Sequence, residues 1–287
     1  MFGARSWDVA EELVSHVSDT ARWVAQYRAA ESARPDALFR DPLAARLAGR
    51  RGRAIVESAP RKLRNGWSIV ARTKLIDDLL AACVAEGCER VVNLAAGLDT
   101  RPYRLPLPAS LTWVEVDLPA LLDEKERLLA GETPACTLVR APVDLADGAA
   151  RASFLAGLEG QSRTLVITEG LMPYLEAGVV AALARDLAAA SAVRWWILDL
   201  MSPGALAMIK STRGHMAARM MSFAPAEGVA FFEPAGWRAR EVESIARAAV
   251  RFRRAPWLIR PFAWLPDPDP RAPGASRWFA VTRLVRA

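Results

Sequence analysis

The chain has 287 residues, 52% of them hydrophobic and 24% charged, the balance of a folded protein able to build a sizeable core. No apolar run approaches the roughly 20 residues that span a bilayer, and Asp8, Glu11 and Glu12 stand where a signal peptide needs an apolar stretch, so the expectation is a cytoplasmic protein with no membrane partner. The net charge of +6 comes from dispersed arginines, with short clusters only at Arg50, Arg51, Arg53 and at Arg251, Arg253, Arg254; without interleaved aromatics this reads as a solvated basic surface, not a nucleic-acid footprint.

In chain order, residues 1–70 read as helices, with Val17, Trp23, Val24 and Tyr27 as inward positions and Pro35 and Pro42 as breaks. A helix over 73–85 ends near Cys83 and Cys88, which read as small buried residues. With Cys136 the cysteines number three and have no metal-site spacing; reduced thiols suit a cytosolic setting. Strands follow at 90–94, 112–116, 137–140, 164–168 and 195–200, each a compact apolar run closed by a polar or Gly-containing turn. Helical patterns lie between them at 119–130, 149–158 and 176–190. The last places Val179, Val180, Leu183 and Leu187 on one face, and the charged run from Asp123 to Arg127 reads as the wet side of the first.

A Met-rich insert at 201–234 and two final strands at 237–242 and 278–285 complete the chain, joined by an irregular, proline-rich covering loop at 255–274. Strands recurring with intervening helices predict a Rossmann-like α/β fold, a mostly parallel seven-stranded sheet covered on both faces. The expected organisation is one domain over 1–287. It comprises a helical N-terminal lid (1–70), a cofactor-binding core (71–200), a lid insert (201–234) and C-terminal strands (235–287).

The chemistry concentrates at strand ends. The run Val91-Val92-Asn93-Leu94-Ala95-Ala96-Gly97-Leu98-Asp99 is a buried strand followed by a small-residue turn that a ligand can approach closely. Asp117 closes the second strand 20 residues after Gly97, the spacing at which an acid takes a ribose hydroxyl pair. A dinucleotide needs three glycines and an unobstructed helix start for its diphosphate, but here the turn is Ala-Ala-Gly and Asp99 would repel it. A cationic sulfonium without phosphate tolerates that arrangement, so charge favours S-adenosylmethionine over NAD. Asp144 and Leu145 after the third strand offer a carboxylate to an adenine amino group and an apolar surface to its ring. Glu169 follows the fourth strand, and Arg72 upstream is suited to a bidentate grip on a carboxylate.

These residues bring out a resemblance. The segments Ser18–Ala25, Arg34–Pro42, Arg72-Thr73, Leu94–Arg101, Glu115-Val116-Asp117-Leu118-Pro119, Asp144-Leu145 and Glu169-Gly170-Leu171 are similar to the leucine carboxyl methyltransferase family, in its bacterial S-adenosylmethionine-dependent branch that includes polyketide O-methyltransferases. The resemblance implies that Arg72 holds the cofactor's carboxylate and that the turn of Ala95 and Gly97 passes under its methionyl part. It further implies that Asp117 binds the ribose, Asp144 and Leu145 the adenine, and Glu169 the amino group. The family usually has Gly where this chain has Ala95, and that methyl group stands to weaken or tilt cofactor binding.

For the acceptor, the expectation is a small molecule methylated on oxygen, a carboxylate or a phenol of secondary metabolism. The alternatives are C- or N-methylation of an indole-type metabolite and a cofactor-binding protein without turnover. His215, in the insert, and Tyr174, five residues after Glu169, are the candidates to assist the transfer; His16 and Tyr27 are weaker ones. Met201, Met208, Met216, Met220 and Met221 suit an adaptable apolar cover.

Overall fold

Leu94, Val116, Val166 and Leu198 face one side of the sheet, while Val91, Trp113, Ile167 and Ile197 face the other. Strands buried on both faces are near-continuous apolar runs, which is why the central strands were recognisable. The computed structural model of the chain describes residues 17–59, 64–158, 160, 162–211, 220–261 and 265–287. Two helices, α1 (Val17–Ser32) and α2 (Ala44–Ser58), precede the long α3 (Trp67–Ala85). The alternating core follows as β1 (Arg90–Leu94), the short α4 (Arg101–Arg104), β2 (Thr112–Asp117), α5 (Pro119–Leu128), β3 (Thr137–Pro142), α6 (Gly148–Ala156), β4 (Thr164–Thr168), α7 (Ala177–Ala189) and β5 (Val193–Met201). Last come α8 (Pro203–Ser211), a 3-10 segment (Gly228–Ala235), β6 (Trp237–Ser244), α9 (Ile245–Arg251) and β7 (Phe279–Arg286).

The seven strands form one sheet in the order β3-β2-β1-β4-β5-β7-β6. The first five are parallel, and β7 pairs antiparallel with both β5 and β6. The order reverses between β1 and β4, and the crevice outside the carboxyl ends of such strands is where open α/β sheets bind ligands. The predicted fold class is the observed one. Among the described residues no helix is long and apolar enough to cross a membrane.

Three departures from the expected pattern carry physical content. Helix α3 starts at Trp67, after Gly66 in the left-handed region at φ 56°, so Arg72 lies inside the helix and not before it. The charged run of α5 is not uniformly wet: Lys125 is fully buried, and its Nζ donates to Glu115 Oε1 at 2.6 Å, itself fully buried in β2. A carboxylate inside a sheet must be paired, and α5 supplies the cation. The arginines are likewise not only a surface coat, since Arg28, Arg101, Arg151 and Arg283 are buried among carboxylate partners. Cys83, Cys88 and Cys136 are buried free thiols, the first two pushed by burial up to about 11 and about 12. The proline-rich loop is irregular and tightly seated: Val229 N donates to Pro270 O at 2.9 Å, and a Cβ on Gly204 would lie 2.0 Å from Ala275 O.

Candidate active site

Ala95, Ala96 and Gly97 carry the chain off the end of β1, with Ala95 at φ 56° and Gly97 at φ 49°. Both values lie in the left-handed region, which suits Gly97 and strains Ala95 by roughly 1–2 kcal/mol. Gly97 N donates to Asp117 Oδ2 at 2.7 Å and Leu118 N to Asp117 Oδ1 at 2.8 Å. One carboxylate at the end of β2 thus clamps the turn after β1, and its remaining lone pairs line the crevice. Burial raises the Asp117 carboxyl above its ordinary value, against the lowering effect of those two N–H donors. Replacing Ala95 by Gly releases the left-handed strain and returns about 0.5–1 kcal/mol of chain entropy to the unfolded state. Ala95→Gly is therefore expected to melt at the same temperature as the wild type or up to about 3 °C higher, with S-adenosylhomocysteine affinity no weaker; a lower melting temperature in calorimetry would contradict the strain assignment.

The N-terminal helices are tied to this turn from above. Arg28 donates through Nε to Asp41 Oδ2 at 2.8 Å and through Nη2 to Leu98 O at 2.5 Å, and Thr100 Oγ1 donates to the same Asp41 oxygen at 2.6 Å. Leu98 packs with Ala25, Leu43, Leu47 and Leu121. The Arg34–Pro42 and Leu94–Arg101 segments, far apart in sequence, therefore meet through buried polar bonds.

Beneath the turn lies a charge network. Arg72 donates through Nε to Glu169 Oε1 at 3.0 Å and through Nη1 to Asp199 Oδ2 at 3.0 Å. Arg101 donates through Nε to Asp77 Oδ1 at 2.7 Å and through Nη1 to both Asp99 Oδ2 at 2.7 Å and Glu169 Oε2 at 2.8 Å, while its Nη2 is buried without a partner. Asn93 Nδ2 also donates to Asp99 at 2.8 Å. Burial pushes Asp99 and Glu169 up, but the guanidiniums of Arg101 and, for Glu169, Arg72 outweigh it and hold both carboxyls below their ordinary values. Lowered folded-state values mean that this stabilisation is complete above the ordinary 3.8 and 4.5 of free Asp and Glu and is lost as pH falls below them. Melting temperatures recorded from pH 7 to pH 3 should drop most steeply below about pH 4.5, and Glu169→Gln should flatten that limb; an equally steep limb in the variant would remove Glu169 from the network.

The same cavity, of about 550 Å³, is lined both by the turn and by the apolar cluster of Met201, Ile209 and Met221 with Tyr174 and Phe279. Its lining includes Asp117, Leu118, Val143, Asp144 and Leu145 together with Trp23, Tyr27, Trp67, Tyr174, Met201, Met208, Met221 and Phe279. The volume falls within the roughly 300–1,000 Å³ of small-molecule sites. Asp144 is exposed and uses one oxygen to accept from Ala146 N at 2.9 Å, so it is both a turn former and a cavity residue; Leu145 is buried. Burial raises the Tyr174 hydroxyl above its ordinary value, so it stays protonated beside Arg72 and Thr20. Tyr27 is also raised by burial. Arg72, Ala95, Gly97, Asp117, Asp144, Leu145, Glu169 and Tyr174 all line this one cavity; His215 and His16, and Met216 with them, lie outside the described residues.

The sequence profile of the leucine carboxyl methyltransferases matches residues 21–188. A protein of Frankia alni provisionally named an S-adenosyl-L-methionine-dependent methyltransferase is 35% identical over 250 residues, covering 82% of this chain and 87% of its own. The chain belongs to the leucine carboxyl methyltransferase family. A relative from Streptomyces coelicolor with the same provisional name is 35% identical over 255 residues, covering 84% of this chain and 89% of its own. A solved structure from Thermobifida fusca YX, provisionally named a methyltransferase, shares the fold with a TM-score of 0.52 at 14% identity, covering 83% of this chain and 89% of that one.

Three charged residues of this methyltransferase's cavity are not picked out by the sequence analysis of the site. Arg101 was visible only as the end of a motif, although an Asp at position 77 within Leu75-Ile76-Asp77-Asp78-Leu79-Leu80 was the signal that α3 buries a charge requiring a cation. Arg28 had no local signal, because its partners Asp41 and Leu98 are 13 and 70 residues away. Asp199 sat inside the apolar strand Val193–Met201, where a lone carboxylate is itself the anomaly.

Proposed function

We propose that this S-adenosylmethionine-dependent methyltransferase holds its cofactor along the carboxyl ends of β1 to β4 and methylates an oxygen of a small, apolar acceptor of secondary metabolism lodged against the apolar cluster of the same cavity. The Arg72–Glu169 ion pair carries this reading. It presents a cation and an anion side by side, matched to the carboxylate and ammonium of an amino acid. An entering zwitterion exchanges one ion pair for two.

The residues fit the rest of the group. Asp117 has acceptor capacity left for two ribose hydroxyls, Leu145 an apolar face for adenine, and Asp144 an oxygen for its amino group. The turn at Ala95 and Gly97 would bring backbone and a single methyl group, that of Ala95, against the methionyl part. The buried, unpartnered Nη2 of Arg101 is one further donor at this end.

The cofactor supplies an electrophilic methyl group, and the displacement needs the acceptor oxygen in line with it. Positioning recovers roughly 7–11 kcal/mol of such a barrier, against roughly 3–5 kcal/mol for general-base help. The apolar wall of Trp23, Trp67, Met201, Met221 and Phe279 excludes water and orients the acceptor, and the protonated Tyr174 hydroxyl offers it a hydrogen bond. A labelled-methyl transfer assay against carboxylates, phenols and indoles tests this reading. Label in an O-methyl product supports it, whereas transfer only to carbon or nitrogen, or tight S-adenosylhomocysteine binding without any transfer, would contradict it.

A further inference from the structure

Asp199 has no part in the cofactor scheme above, yet it lines the same cavity and is 8% exposed. Strand β4 ends its pairing with β5 at Thr168↔Leu198, so Asp199 is the first residue of β5 beyond that edge, next to Glu169. Alternation puts Asp199 and Met201 on the face of Trp195 and Ile197, the side covered by α3. Met201 then opens the apolar cluster of Ala205, Ile209 and Met221, against which Tyr174 and Phe279 pack. Asp199 is thus the carboxylate that adjoins the apolar cluster.

Its bonds can be redistributed. Oδ1 accepts from Gly170 N at 2.6 Å and Oδ2 from Arg72 Nη1 at 3.0 Å. If Arg72 turns to the cofactor's carboxylate, Oδ2 loses its counter-ion while the Gly170 bond keeps the side chain in place. Around it stand Arg72 of α3, Glu169 and Tyr174 after β4, and apolar Val281 of β7. The charge of the lining also selects the acceptor. Arg28, Arg72 and Arg101 face Asp99, Asp117, Asp144, Glu169 and Asp199, and each of these arginines is already paired with a carboxylate. Among the described residues an anionic acceptor meets excess negative charge, and burying an unpaired anion is costly.

We propose that the acceptor is an uncharged molecule bearing a hydroxyl on an apolar, ring-containing body, and that Asp199 takes the hydroxyl proton; this rests on the cofactor placement proposed above. The acceptor's O–H bond breaks with its proton going to the Asp199 carboxylate. The O–CH3 bond forms as the S–CH3 bond breaks with its electron pair left on sulfur, and Asp199 returns the proton to solvent after the product leaves.

The test is Asp199→Asn, whose amide oxygen can still accept from Gly170 N, with 2-naphthol and 2-naphthoate as probes. Calorimetry should give an S-adenosylhomocysteine Kd within about threefold of the wild type or tighter, since Arg72 loses a competing partner. Naphthol methylation at pH 7 should fall by about 10²–10⁴-fold, and the deficit should shrink toward pH 10 as the phenol ionises unaided. Wild-type methylation of naphthol with Asp199→Asn at the wild-type rate would overturn the proposal, as would cofactor affinity lost in proportion to activity or preference for naphthoate. Where neither probe is methylated, binding to the wild-type S-adenosylhomocysteine complex decides: naphthol must bind more tightly than naphthoate, and the reverse or equal binding overturns the proposal. A wild type that fails to bind S-adenosylhomocysteine would instead sink the cofactor reading itself.

Discussion

Asp117→Ala is expected to bind S-adenosylhomocysteine at least a hundredfold more weakly than the wild type. Hydrogen bonds to a charged group are worth about 1.5–3 kcal/mol each, so two ribose hydroxyls deprived of their acceptor cost about 3 kcal/mol or more, and each 1.4 kcal/mol is tenfold in Kd. The substitution also cuts the bonds from Gly97 N and Leu118 N and releases the turn. Asp117→Asn keeps one acceptor oxygen and should lose less. Because burial raises the Asp117 carboxyl, the wild type should itself lose affinity on acidification at a higher pH than an ordinary carboxylate would dictate. Isothermal titration of the variants measures all of this, and an Asp117→Ala affinity within threefold of the wild type would remove the ribose assignment.

The largest effect on stability is expected at Lys125. Lys125→Met leaves Glu115 fully buried, with only the longer contact from Arg140 Nε at 3.3 Å as a cationic partner. Breaking a buried pair on one side costs roughly 3–5 kcal/mol, a fall in melting temperature of about 6–15 °C for a chain of this size. The double variant Glu115→Leu with Lys125→Met removes both charges and should recover more than half of the loss, since an apolar pair of similar volume is often neutral in such a place. Scanning calorimetry checks both. A Lys125→Met shift below about 2 °C would mean that the pair is hydrated and not the buried bond described.

The parts of the molecule that were legible in the sequence are those governed by local pattern. Central strands covered on both faces are unbroken apolar runs, so β1 and β4 are legible to the residue, β2 and β3 fall one and two residues short at their carboxyl ends, and β5 falls short at both ends. Asp117 was legible because the turn and the acid are separated by a fixed crossover length. What escaped depends on contacts at long separation. Lys125 looks like any residue of a charged run until β2 is seen to place Glu115 beneath it. The start of α3 escaped because nothing before Thr73 reads as a helix entry until Gly66 takes the left-handed conformation.

Arg72 and Glu169 were each read as ligands of opposite ends of one amino acid. Their bond to each other, across 97 residues, was not foreseen. Arg72 is shared between two carboxylates, Glu169 and Asp199, and the proposed scheme asks it to take that of the cofactor as a third. Asp99, anticipated as a barrier to a diphosphate, is turned onto Asn93 and Arg101 and stays ionised at the crevice wall.

A crystal structure of the protein with S-adenosylhomocysteine tests the central claim most directly. The account predicts ribose hydroxyls on Asp117, adenine against Leu145, and the homocysteine carboxylate on Arg72 with its amino group on Glu169. Density for the nucleoside elsewhere, or an Arg72–Glu169–Asp199 network left untouched by the ligand, would contradict it.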